Sequence, residues 1–387
     1  MGWGMRQPNR LRIAFVADSL HTLSGGVLSG KYVVERLRQE HDVITVAADG
    51  DEALPSFTLP IRAMREMRFV MARPDRAILS RAFQNVDVVH LQLPFWLSFT
   101  ALEEARRAGL PVVAGFHVQP ENAYYNVGIH STWLNDATYR FLIRRFYDRV
   151  DTVICPTPFA EERLRAHGLR APAVVVSNGV PPDVAAATAV PHAPRPDDGQ
   201  DRPFFILAIG RLGAEKRQDV IIEAVRRSRH RDRIRLALTG AGPREDELKE
   251  LARNLPNGAE IGFASRDELL HRLATADLFI HASEVELEGM AVLEAMSAGL
   301  PAVIAQAPES AASRFALNDD FAFPAGDAGA LAQKIDALID APQKLEAARA
   351  AYRERARQFD FGASVGKLVD VYRRVIDAHR ARPRKSA

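Results

Sequence analysis

The stretch Phe204-Phe-Ile-Leu-Ala-Ile-Gly-Arg-Leu-Gly-Ala-Glu-Lys216 joins an unbroken apolar run to a polar turn carrying two cations. Phe204 to Ile209 contains no polar residue, so the strand it predicts must be buried on both faces, as in a parallel sheet covered by helices. Gly210, Arg211 and Lys216 then fall between that strand and a helical stretch at about 217 to 230. Open parallel sheets bind ligands beyond the carboxyl ends of their strands. A guanidinium fork and an ammonium on such a loop suit a diphosphate, and the amides of the helix start add to the attraction. An ion pair at Arg211 and a solvated Lys216 would account for the same residues equally well.

The same plan runs through the rest of the chain. Upstream, apolar runs at Arg12 to Ala17, Asp42 to Val46, Asp87 to Leu91, Pro111 to Phe116, Asp151 to Cys155 and Ala173 to Ser177 alternate with helical patterns. Downstream, strands are expected at Arg235 to Thr239, Asp277 to Ile280 and Ala302 to Ile304, with helices at about 244–254, 266–275, 290–298, 327–339, 341–357 and 362–380. A segment rich in Ala, Pro and Asp, with neither periodicity nor aromatic residues, separates the two series and reads as a linker. The predicted fold class is α/β with two Rossmann-like domains: an N-terminal one over 1–183, a linker over 184–202, and a C-terminal one over 203–361. The helix at about 362–380 is expected to pack back on the first domain, and the two domains to face each other across one deep cleft.

Composition narrows the function. A chain of 387 residues, 47% apolar and 26% charged, has the make-up of a globular protein of two domains. Its net charge of +2 gives no case for nucleic acid. With Cys155 as the sole cysteine, neither an intrachain disulfide nor a thiolate metal cluster can form. No apolar stretch reaches the roughly 18 to 20 residues needed to span a bilayer, and the N-terminal residues lack the apolar core of a signal peptide. The expected setting is cytoplasmic, with any membrane contact made from the surface of the inner face.

Glu284-Val-Glu-Leu-Glu-Gly-Met-Ala-Val-Leu-Glu-Ala-Met296 places Glu286 in a loop and Glu294 about a turn into a helix opening near Gly289. Glycine there admits a ligand close to the backbone, and the helix start presents unpaired amides to an anion. The two glutamates are then placed to hydrogen-bond hydroxyls on either side of it, one on a sugar and one on a ribose.

Residues 204 to 305 resemble the donor domain of glycosyltransferase family 4, whose retaining enzymes have the GT-B fold. The resemblance rests on Gly210-Arg211-Leu212 with Lys216, the turn Gly240-Ala-Gly-Pro243, and Glu286 to Glu294, in that order. It implies that Arg211 and Lys216 bind the donor diphosphate, Glu286 the sugar hydroxyls and Glu294 the ribose. The amides of Met290 and Ala291 would meet phosphate oxygens beside Gly289, and Gly262-Phe263 would frame the base. It also implies a hexose transferred from a nucleotide-diphosphate sugar such as UDP-glucose, with no metal or other cofactor. Retention would follow a front-side route in which the departing diphosphate helps to accept the acceptor proton. Many members carry glutamate-glycine-phenylalanine-glycine where this chain has Glu286-Leu287-Glu288-Gly289, and the extra carboxylate bears on sugar preference.

In the N-terminal half, Ser24-Gly25-Gly26-Val27 opens a helix after the first strand, where the resemblance implies a glycine-rich loop; Gly26 is assigned to the donor side. Asp18, His21 and Gly25 are candidates for the acceptor side. His117, at a strand end, is by itself most often structural, but the resemblance implies a position beside the donor sugar and makes it a catalytic candidate with Arg211, Lys216 and Glu286. His90 is read as structural or as supporting neighbouring site residues. Asp49-Gly50-Asp51 matches a metal-binding pattern but falls in a turn of the wrong domain; it is read as solvated, with no metal site. Arg62, Arg65, Arg68, Arg73, Arg76 and Arg81, interleaved with Met64, Met67, Phe69, Val70 and Met71, suit a face lying on anionic lipid and equally an ordinary solvated helix. Val88 to Phe95 and Gly115 to Asn126 resemble the branch of the family that glycosylates diacylglycerol, with soluble acceptors and a nucleotide-sugar epimerase as the other readings.

Overall fold

The computed structural model describes residues 9–20, 25–58, 70–126, 128–187 and 202–382. By its internal contacts the chain divides into two units, one of Met1–Tyr124, Ile129–Asn178 and Gly362–Ala387, the other of Tyr125–Gly128 and Gly179–Phe361.

The first unit is built on a seven-stranded parallel sheet. Its strands are β1 (Arg12–Val16), β2 (Asp42–Ala47), β3 (Glu52–Ala53), β4 (Val88–Leu91), β5 (Val112–Gly115), β6 (Thr152–Cys155) and β7 (Ala173–Val175), in the order β3-β2-β1-β4-β5-β6-β7. Strand order reverses between β1 and β4, which puts the crevice of this sheet beyond Val16 and Leu91. The helix Phe361–Arg380 packs its Val371 and Tyr372 into this unit, where the Tyr372 hydroxyl lies 2.8 Å from His90 Nδ1.

The second unit repeats the plan with six strands: β8 (Phe204–Ile209), β9 (Ile234–Thr239), β10 (Ala259–Gly262), β11 (Leu278–His281), β12 (Ala302–Gln306) and β13 (Ala322–Pro324), in the order β10-β9-β8-β11-β12-β13. Phe204 to Ala208 are all buried, each large side chain contributing about 1.5–3 kcal/mol relative to exposure. The switch point lies between β8 and β11, so the turn beginning at Gly210 opens onto it.

One device recurs in both sheets. Asp87, Asp151 and Asp277 each stand just before a strand and accept the backbone N–H of Arg12, Val112 and Phe205 on its neighbour, at 2.9, 2.8 and 2.9 Å. In return the N–H of each Asp donates to the carbonyl of the same residue.

Several expectations need correction. The linker span begins inside a short helix, Pro182–Ala187, and the edge strands β10 and β13 lack the β-branched runs that would have announced them. Asp49 and Asp51 are not merely solvated. Asp49 accepts from Ser19 Oγ at 2.7 Å and Leu20 N at 2.8 Å, and Asp51 from Thr45 N at 2.8 Å. The arginine-rich segment is not one helix. Its described part is a strand, Met71–Ala72, paired with Ser56–Phe57, followed by the helix Arg76–Ala82. Arg76 is engaged by Glu103 and Glu104, and Arg81 by Glu52 at 2.6 Å, so these charges are balanced locally. His21, Arg62, Arg65 and Arg68 lie outside the described residues. Among the described residues, no helix is long and apolar enough to cross a membrane.

Candidate functional site

Beyond β8 three loops are tied together by main chain. Gly210 N donates to Thr239 O, Leu212 N to Ala241 O and Gly240 N to Gly262 O, at 3.0, 3.0 and 2.9 Å. Gly240 has φ +157°, and a Cβ there would stand 2.0 Å from Gly210 O, so the approach of these loops requires glycine.

The loop after Gly210 closes in a short 3-10 turn, Ala214–Lys216, that buries Glu215 completely. Glu215 holds the Arg211 guanidinium, with Nε at 3.2 Å from Oε1, while its carbonyl accepts from Glu284 N and Ser283 Oγ. The next residue, Lys216, is paired with Glu286. His281, at the end of β11, lies 3.5 Å from the same Glu286 oxygen. Burial alone would raise the Glu286 carboxyl, but Lys216, His281 and Arg211 outweigh it and hold the group below its usual range. His281 is pushed down to about 4, chiefly by burial, and is neutral at pH 7. Arg211, Lys216 and Glu286 are thus brought together, with Glu215 and His281 as companions that no motif had announced.

The helix Met290–Ser297 begins at Gly289, whose φ of +87° starts it without a side-chain cap. The N–H groups of Met290 and Ala291 have no acceptor within the helix. Glu294 sits in its second turn, buried, and accepts from Arg266 at 3.2 Å. Arg266 is itself fixed by both oxygens of Asp183, at 2.5 and 2.9 Å. Burial raises the Glu294 carboxyl against the pull of Arg266. Phe263, following Gly262, is 64% exposed, whereas Glu288 is only 3% exposed and lies inside the unit.

In the first unit His117 follows β5, and glycine at 115 makes room for it: a Cβ there would stand 2.4 Å from His117 Nε2. His117 lines a cavity of about 30 Å³ with His90, Gln92, Ser177, Ser364 and Leu368. Burial pushes His117 down to about 4 and, with His117 beside it, His90 to about 3. Both rings are neutral hydrogen-bonding groups at physiological pH. Asp18 is 1% exposed, accepts from Ala72 N at 3.1 Å, and is pushed up to about 6 by burial. Gly25 and Gly26 form the first turn of the helix Gly25–Glu40.

Comparison with known proteins bears on both halves. Residues 25–184 match the model described as Glycosyltransferase Family 4, and residues 194–359 the one described as Glycosyl transferases group 1. The chain belongs to glycosyltransferase family 4. This family 4 chain is 26% identical over 257 residues to the alpha-monoglucosyldiacylglycerol synthase of Streptococcus pneumoniae, a match covering 64% of this chain and 58% of that one. It is 25% identical over 380 residues to the sulfoquinovosyl transferase SQD2 of Arabidopsis thaliana, over 94% of this chain and 73% of that one. Among solved structures it is similar to Anabaena HepE, crystallised with UDP and glucose, at a TM-score of 0.69 and 18% identity, over 94% of this chain and 99% of that one. The HepE likeness concerns the fold, the GT-B pair of parallel-sheet domains.

Proposed function

We propose that this family 4 chain transfers a hexose from a nucleotide-diphosphate sugar, UDP-glucose in the first instance, to a hydroxyl of a membrane lipid such as diacylglycerol, with retention at the anomeric carbon. The observation that carries the donor half is the convergence of Arg211, Lys216 and Glu286 beside loops that approach through Gly210 and Gly240. Two cations balanced by two carboxylates form a site that accepts a diphosphate by exchange. Lys216 passes from Glu286 to a phosphate oxygen, and Glu286 turns to the sugar hydroxyls. The first amides of the Met290 helix add donors to the phosphates, Glu294 takes the ribose, and Phe263 lies by the base.

As the anomeric bond breaks, charge develops on the diphosphate, where Arg211 and Lys216 stabilise it without a metal. The departing phosphate accepts the acceptor proton. Because burial keeps His117 neutral, its part is to orient the sugar by hydrogen bonding rather than to supply positive charge. The lipid acceptor is supported by the names of the Streptococcus and Arabidopsis relatives.

The test is incubation of the purified chain with labelled UDP-glucose or GDP-mannose, with and without diacylglycerol vesicles. Label should enter the lipid from UDP-glucose only. Equal turnover without vesicles rejects the lipid acceptor, and absence of turnover with either donor rejects the transferase reading.

A further inference from the structure

The helix Thr132–Arg145 turns its inner side, with Tyr139 and Ile143, into the first unit. Its outer side carries Trp133, 75% exposed, and Phe141, 55% exposed. Positions 133, 137, 140, 141 and 144 share one side of a helix, so Arg140 and Arg144 stand between and beside these rings. Phe141 stacks on Phe99 of the helix Trp96–Arg107, with centroids 6.2 Å apart. Trp96 at the start of that helix is 52% exposed, and its ring meets Phe57 edge-on at 6.1 Å.

The charge on this surface is one-sided. Arg140, Arg144 and Arg145 are exposed. Among the described residues Arg144 and Arg145 have no carboxylate partner, and Arg140 has only Asp136 at 3.9 Å. Exposed tryptophan and phenylalanine grouped with arginine mark a surface that is covered in use. Indole and phenyl rings seat at the boundary between headgroups and acyl chains, while guanidinium groups take the anionic headgroups. An acidic protein groove would satisfy the arginines but gives no reason for large rings projecting this far.

We propose that this face, with Trp96, Trp133 and Phe141 among Arg140, Arg144 and Arg145, docks the first unit on an anionic lipid surface. The proposal concerns where the protein sits and does not require its acceptor to be a lipid. It differs from the arginine-rich segment near Arg73 and Arg76, whose described arginines include two held by glutamates.

The experiment is co-sedimentation of the full chain with vesicles of phosphatidylcholine alone or mixed with phosphatidylglycerol, across a salt series. The chain should bind the mixed vesicles and be released as salt rises. The pair Trp133→Ala/Phe141→Ala and the triple Arg140→Gln/Arg144→Gln/Arg145→Gln should each weaken binding by about tenfold or more, with Tm and vesicle-free donor hydrolysis unchanged. Binding equal to wild type in both variants overturns the proposal, as does wild-type indifference to phosphatidylglycerol. So does a change confined to self-association of the free protein, which would assign the face to a second copy. Vesicle binding without transfer to diacylglycerol would leave the docking face standing and reject only the lipid acceptor.

Discussion

The ammonium of Lys216 rests against the carboxylate of Glu286, each side chain 15% exposed, with neutral His281 3.5 Å from the same carboxylate oxygen. Removing the cation therefore strands a charge as well as a phosphate ligand. Lys216→Ala is expected to lower transfer by about 100-fold or more and stability by roughly 2 kcal/mol. Adding Glu286→Gln should return part of the stability and none of the transfer. Thermal melts and single-turnover rates on the three variants check this; equal Tm for wild type and Lys216→Ala would show that the pair contributes nothing.

Asp18 predicts a stability that falls as the solution becomes less acidic. Its folded value of about 6 stands above the ordinary 3.8, so the folded state keeps a proton that the unfolded chain has released. The contribution is whole below about pH 4 and is lost as pH rises through 6, on the order of 3 kcal/mol in all. Asp18→Asn keeps an oxygen for Ala72 N and removes the titration. It should melt several degrees above wild type at pH 7.5 and converge with it near pH 4; parallel curves would discount the burial of Asp18.

Three histidines act in the opposite sense. His90, His117 and His281 have folded values of about 3, 4 and 4, below their ordinary 6.5. Their contribution is present above pH 6.5 and drains away as pH falls towards 4. The profile of kcat/KM should accordingly show no acidic limb near 6.5, and any limb belonging to His117 should lie below pH 5. A limb at 6.5 that disappears in His117→Asn would contradict a neutral His117.

Arg266 is held by Asp183 and reaches Glu294. With Arg266→Ala, Glu294 loses the cation that offsets its burial and shifts further towards its protonated form. Donor KM should rise by about tenfold while kcat stays within about twofold, because the residue supports binding rather than bond breaking. A fall in kcat at unchanged KM would place Arg266 in the chemistry instead.

What could be read in advance follows from the range of each signal. Phe204 to Ile209 announces its strand because consecutive apolar residues are a local pattern, and Arg211 and Lys216 follow within one loop. Arg266 was invisible, since its partners Asp183 and Glu294 stand 83 and 28 positions away in sequence. Glu215 looked like any charged residue of a turn, and only the packed unit shows it wholly buried. The arginines at 76 and 81 suggested an open basic face because spacing along a helix carries no information about Glu103, Glu104 and Glu52 across from them.

Asp87, Asp151 and Asp277 bear on how such sheets avoid misassembly. A strand apolar on both faces has no alternation to penalise a slip of its neighbour along it, since every shifted pairing still buries oily side chains. One carboxylate at the amino end changes this, because an amide at the start of the adjoining strand finds its acceptor in a single alignment. In the folded sheets these acids mark the alignment, supplying the phase information that uniform hydrophobicity lacks.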